Sequence, residues 1–105
     1  MAKVRVTVIK KMSTKDVHGD NFPCQIAEDF SQECPRLNVG DEFVVPENGA
    51  CPDGFCGWAF ADIHPVITHL RFGGTFPFSK DGGVAIACCT DGLRPVFFKV
   101  ERIEE

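Results

Sequence analysis

The chain has no Tyr and a single Trp, Trp58, and nowhere does it hold a Cys-x2-Cys pair. The first shortage leaves aromatic bulk to ten Phe, which carry no polar group needing a partner when buried. The missing pair removes the spacing of thioredoxin-like redox sites and of common structural zinc sites. No apolar run approaches the roughly 20 residues needed to span a bilayer. Residues 1–15 lack the apolar core of a signal peptide. The expectation is a chain with no membrane association, in a reducing, cytoplasmic compartment. There is no nucleophile elbow, no phosphate-binding glycine loop and no paired-histidine zinc-hydrolase motif. Gly73-Gly74 and Gly82-Gly83 read as turns, without the Lys-Ser/Thr that would hold a phosphate. Positive charge is also short: 11 Lys and Arg face 15 Asp and Glu, for a net charge of −4. That argues against nucleic acid as a partner, because backbone binding needs a concentrated positive face.

What is present fits one folded domain over residues 1–105, with 44% hydrophobic and 25% charged residues. Charge is segregated. Residues 1–15 carry five basic groups and no acid, whereas residues 16–62 carry ten acids against Arg36 alone. A basic first strand lying beside the acidic middle would neutralise both; an acidic surface attracting a cation or a basic partner is the other reading.

Val4, Val6 and Val8 alternate with Lys3, Arg5 and Thr7, which predicts a half-buried strand over residues 3–10. Residues 13–37 show no sustained period; Pro23, Pro35 and scattered acids predict loops, with one helical turn near Ile26 to Phe30. Glu42 to Val45 reads as a second strand, stopped by Pro46. A turn-rich loop with three Gly and one Pro fills residues 47–57. Trp58, Ala59, Phe60, Ile63, Val66, Ile67 and Leu70 then recur at helical steps. Pro65 leaves two versions of that helix, one capped by Asp62 and one starting near Trp58 and bending at Pro65. Gly73-Gly74 ends either. Strands at 84–89 and 95–103 flank the turn Thr90-Asp91-Gly92-Leu93 as an antiparallel hairpin. The predicted class is α+β: a small antiparallel sheet packed against one main helix, with long cysteine-containing loops.

Six cysteines, Cys24, Cys34, Cys51, Cys56, Cys88 and Cys89, allow fifteen fully paired connectivities, which a reducing compartment disfavours. Cys51 and Cys56 share the turn-rich loop, and the strand before Asp91 can bring Cys88 to the same edge. With Cys24 or Cys34 as a fourth ligand, these thiolates make a zinc or iron–sulfur site chemically reasonable. Strand parity is expected to send Cys89 elsewhere. Burial as small core hydrophobes is the plainer alternative for several of them. Cys56 is the leading reactive thiol, since helix-end N–H groups favour negative charge there; Asp91 and Arg94 are its charged neighbours and the candidate catalytic set. His64 and His69, five positions apart, do not share a helix face and read with His18 as lone histidines. Phe72, Phe76 and Phe78 in a glycine-bearing connection could be core, cover a ligand or meet a partner.

Asp53-Gly54-Phe55-Cys56-Gly57-Trp58-Ala59, Leu70-Arg71-Phe72-Gly73-Gly74 and the stretch from Ala87 through Asp91-Gly92-Leu93-Arg94-Pro95-Val96-Phe97-Phe98 together resemble a family of small, uncharacterised prokaryotic proteins of similar length. The resemblance, supported also by Lys3 to Val8, Val39 to Phe43 and Glu101-Arg102, covers nearly the whole chain. It implies a prokaryotic single-domain protein and carries no catalytic assignment. The residues themselves give two functional expectations. One is a small binding or accessory protein for a protein partner or small ligand, with a cysteine-bound metal; the other is a small enzyme or redox protein using Cys56.

Overall fold

The computed structural model describes residues 1–22 and 24–103. Pro23, read above as a loop signal, lies outside them, as do Glu104 and Glu105. The alternation in the first segment produces β1 (Lys3–Lys11), whose Val4, Val6 and Val8 are fully buried. β4 (Val96–Ile103) alternates the same way through Val96, Phe98 and Val100. The antiparallel register sets Val6 opposite Val100 and Val8 opposite Phe98, so the two apolar stripes join on one face. A register shift between Val8 and Lys10 turns Ile9 outward and pairs Lys11 with Val96. The Lys11 ammonium meets Glu33 at 3.8 Å, one contact of the basic strand with the acidic middle.

β2 (Glu42–Val45) adds to β1 and β3 (Val84–Cys88) to β4, giving an antiparallel sheet of order β2-β1-β4-β3. Across its inner face lies α2 (Gly57–Arg71), which buries Ala59, Ile63, Ile67 and Leu70. This is the α+β plan expected, one main helix on a four-stranded sheet. Each fully buried Ile or Leu in that layer stabilises by about 1.5–3 kcal/mol relative to exposure.

The helix settles the Pro65 alternatives. It runs unbroken from Gly57 with Cys56 as N-cap, and Asp62 lies inside it. Pro65 is on the exposed face, where the carbonyl left without its N–H partner can meet water. Trp58, expected in the apolar stripe, is instead 57% exposed. The C-terminus ends as a Schellman turn: Gly74 N–H donates to the His69 carbonyl at 2.8 Å and Gly73 N–H to the Leu70 carbonyl at 3.1 Å. Gly73 has φ 85°, a conformation an L side chain rarely adopts. From β4, Arg102 adds hydrogen bonds to the Leu70 and Gly74 carbonyls at 3.0 and 2.9 Å.

A short α1 (Thr14–His18) occupies part of the stretch read as loop. Its cause is local: Ser13 accepts from Asp16 N–H and Asp16 accepts from Ser13 N–H, a capping box. Near Ile26 to Phe30 a turn closes by Phe30 N–H to the Ala27 carbonyl.

Candidate functional site

The N-terminal end of α2 is positioned by the turn-rich loop before it. Gly49 and Gly54 take φ 78° and 81°, which reverses the chain and delivers Phe55 into the core against Phe43 and Phe98. With Phe55 buried, the next residue, Cys56, sits at the helix start, half-buried and with no side-chain hydrogen bond to the first turn. On the opposite flank, buried Leu37 anchors the loop that carries Cys34.

The hairpin turn supplies the third wall. Cys89 N–H donates to the Val96 carbonyl at 3.1 Å, and Val96 N–H approaches the Cys89 sulfur at 3.3 Å. Asp91 Oδ1 accepts from the N–H groups of Leu93 and Arg94 at 2.9 and 3.0 Å, which fixes the turn. Arg94 Nε lies 3.4 Å from Asp91 Oδ2, and its guanidinium covers the Phe30 ring at 4.2 Å. The turn is tied to α2 through Thr90. Trp58 Nε1 donates to Thr90 Oγ at 2.7 Å, and Thr90 N–H and hydroxyl donate to Asp62 at 2.7 and 3.0 Å. His18 Nε2, 2.6 Å from the Gly92 carbonyl, holds its other side.

These segments enclose a small pocket lined by Cys34, Cys56 and Cys89, with Trp58, Asp91 and Arg94 around them and Leu37, Ala59 and Val96 behind. Its volume is about 30 Å³. That admits a water-sized species and lies an order of magnitude below the several hundred Å³ of an organic-ligand pocket.

The expected set is therefore partly assembled. Cys56, Asp91 and Arg94 meet at one pocket, and Cys34 joins them. Cys89 joins them too, contrary to the parity expected: with Ala87 it packs against the core, while Cys88 shares the parity of exposed Ile86. The strand meets the helix through Ala85, Ala87 and Cys89, and only the tertiary packing chooses that face. Cys51 is exposed near Cys56, its sulfur pointing to the Pro52 carbonyl. Cys24 is exposed and does not line the pocket. Burial, then the nearby Cys56 and Asp53, push the Cys51 thiol up. Burial, then Cys89 and Asp62, do the same to Cys88. Two of the three expected metal thiolates are thus held toward the protonated form. Among the described residues, no three His, Cys, Asp or Glu side chains are grouped to hold a metal ion.

A larger, open cleft of about 610 Å³ lies at the other end of α2, beside Arg71 and Arg102. Both guanidiniums there already donate to backbone carbonyls, of Glu47 and of Leu70 and Gly74. It holds no thiol, and the chemistry-bearing side chains gather at the smaller pocket. The phenylalanine connection divides: Phe76 packs against the core and the His69 ring, whereas Phe72 and Phe78 are 67% and 71% exposed. No helix among the described residues is long and apolar enough to cross a membrane.

Fold and site together define a small α+β protein with a three-thiol pocket at a helix N-terminus. Comparison with protein-family models, curated proteins and solved structures finds no match.

Proposed function

We propose that the protein works by thiol redox chemistry, with Cys56 as the reactive thiol and Cys34 or Cys89 as the thiol that pairs with it. The observation that carries this reading is the convergence of three cysteines from three distant chain segments on one pocket of about 30 Å³. A cavity of that size favours a small reactant such as a peroxide over an organic substrate. The first-turn N–H groups of α2, uncapped by any side chain of Cys56, favour negative charge at that end. In the reaction the Cys56 thiolate attacks one peroxide oxygen, the O–O bond breaks, and the leaving oxygen departs as an alcohol or water. The second thiol attacks the sulfur of the resulting sulfenic acid, the S–O bond breaks and the hydroxyl leaves with the thiol proton as water, giving a disulfide; an external dithiol, itself oxidised to a disulfide, returns both cysteines to thiols.

Peroxide titration of the reduced protein, followed by mapping of modified cysteines, tests the reading. Cys56 should oxidise ahead of exposed Cys24 and Cys51 and appear in a disulfide with Cys34 or Cys89. Oxidation of Cys24 and Cys51 first, with Cys56 left as a thiol, overturns it.

Soft-metal binding by Cys34, Cys56 and Cys89 is the second reading, although these side chains as they stand are not grouped to hold an ion. It requires them to draw in to about 2.3 Å from one ion. Elemental analysis with an absorption spectrum of protein purified without oxygen tests it: zinc is colourless, and an iron–sulfur cluster is coloured. A metal-free analysis after such a preparation removes this reading.

A further inference from the structure

The edge strand β3 supports an inference independent of the thiol pocket. Among the described residues, β3 pairs only with β4. Two bonds fix which of its backbone groups are used: Arg102 N–H donates to the Gly83 carbonyl at 2.8 Å, and Cys89 N–H to the Val96 carbonyl at 3.1 Å. Hydrogen-bonded pairs recur every second residue in an antiparallel ladder, so Ala85 and Ala87 also spend their groups on β4. Val84, Ile86 and Cys88 therefore aim theirs away from the sheet. Of these, the Val84 N–H is taken by the Asp81 carbonyl at 3.0 Å. The strand Val-Ala-Ile-Ala-Cys carries none of the usual edge guards, neither charge, proline, glycine nor bulge. The other edge is guarded: β2 has four residues, includes Glu42 and stops at Pro46. Ile86 is 58% exposed, and Phe78, in the same groove, is more so.

We propose that β3 pairs antiparallel with β3 of a second copy of this chain, about a two-fold axis at Ile86. Each Ile86 N–H then donates to the Ile86 carbonyl opposite, and each Cys88 N–H to the Val84 carbonyl opposite. These four bonds close both edges into one continuous sheet. A second copy is the occupant because, about a two-fold at Ile86, each free donor meets a free acceptor of the same strand, Ile86 N–H the Ile86 carbonyl and Cys88 N–H the Val84 carbonyl; the Val84 N–H stays with Asp81. On β4 the charged residue opposite Ile86 is Lys99, ion-paired with Glu101 at 3.8 Å, and Asp81 stands beside Val84 at the start of the strand. Two such lysines would lie three strand spacings apart, about 14 Å, beyond the ~8 Å screening length at physiological salt. Pairing also covers Ile86, the largest exposed apolar side chain of the strand.

The test is sedimentation over a micromolar-to-millimolar series under reducing conditions, so that no intermolecular disulfide can mimic the contact, with amide hydrogen exchange on the same samples. A dimer is expected, in which the Ile86 and Cys88 amides exchange slowly and speed up on dilution. Ile86→Lys should give a folded monomer, and Val44→Lys, on the β2 edge, should remain dimeric. A monomer throughout the series overturns the proposal. So does a dimer whose Ile86 and Cys88 amides exchange freely, or one that survives Ile86→Lys. If Ile86→Lys fails to fold, the exchange pattern of the unaltered chain decides.

Discussion

The two ends of α2 are finished in opposite ways. At the C-terminus nearly every free carbonyl is answered: Gly73 and Gly74 close a Schellman turn on Leu70 and His69, Ala2 N–H donates to the Arg71 carbonyl, and Arg102 reaches from β4 to the Leu70 carbonyl again and to that of Gly74. At the N-terminus Cys56 takes a position where Ser, Thr, Asp or Asn would accept from the first turn, and its side chain makes no such bond. One end is built for stability. The other gives up a stabilising cap and gathers thiols there instead, so the departure from the favoured capping residue marks the candidate site.

The largest effect should come from the core that both ends share. Ile67→Ala removes a fully buried side chain between α2 and the sheet and should cost about 2–5 kcal/mol in denaturant unfolding. A cost near zero would break the comparison at its base, because neither end would then be held by the helix–sheet layer. Next comes the C-terminal end. Arg102→Ala deletes a guanidinium donating to two carbonyls and should cost about 1.5–3 kcal/mol. The N-terminal end should respond with the opposite sign: Cys56→Ser restores a capping oxygen and should raise stability by up to about 1 kcal/mol. The same variant should lose the peroxide-driven disulfide, and retention of that disulfide would separate the pocket from the chemistry proposed for it.

The smallest effect is on pH dependence. The Cys51 and Cys88 thiols are pushed up, chiefly by burial, so at alkaline pH the unfolded chain releases protons that the folded chain still holds. Stability should be full below the ordinary thiol value of about 8.5 and fall as pH rises through the higher folded values. Unfolding midpoints measured from pH 7 upward check this, and Cys88→Ala should flatten the decline. Asp16, held below the ordinary carboxyl value by its bonds with Ser13, works at the other end of the scale. Its cap of α1 is complete above that value and lost as pH falls through the lower folded one, visible as fraying of residues 14–18.

Much of this fold was legible in the residues. The alternation of Val4-Val6-Val8, the hairpin strand over residues 95–103 and the helical steps from Ala59 to Leu70 lie where they were expected. The site was half legible: the loop composition pointed to Cys56, and Asp91-Gly92 to the turn that carries its charged neighbours. Cys89 was missed because alternation along Ala87-Cys88-Cys89 gives two faces without saying which meets the helix. The Trp58–Thr90–Asp62 tie was missed because its members lie 28 to 32 positions apart and none is unusual alone. α1 was missed although its signal, Ser13 with Asp16 three residues on, was present.

The sequence by itself determined where strands and helix form, because period and turn residues act over a few neighbouring positions. It also determined the absence of a Cys-x2-Cys centre. Only the tertiary structure decided which cysteines share a pocket and which edge of the sheet stays open. Those outcomes depend on how long loops bring Cys34, Cys56 and Cys89 to one place and on which strand ends outermost. They are set by the packing of the whole core, and no local pattern in the chain encodes them.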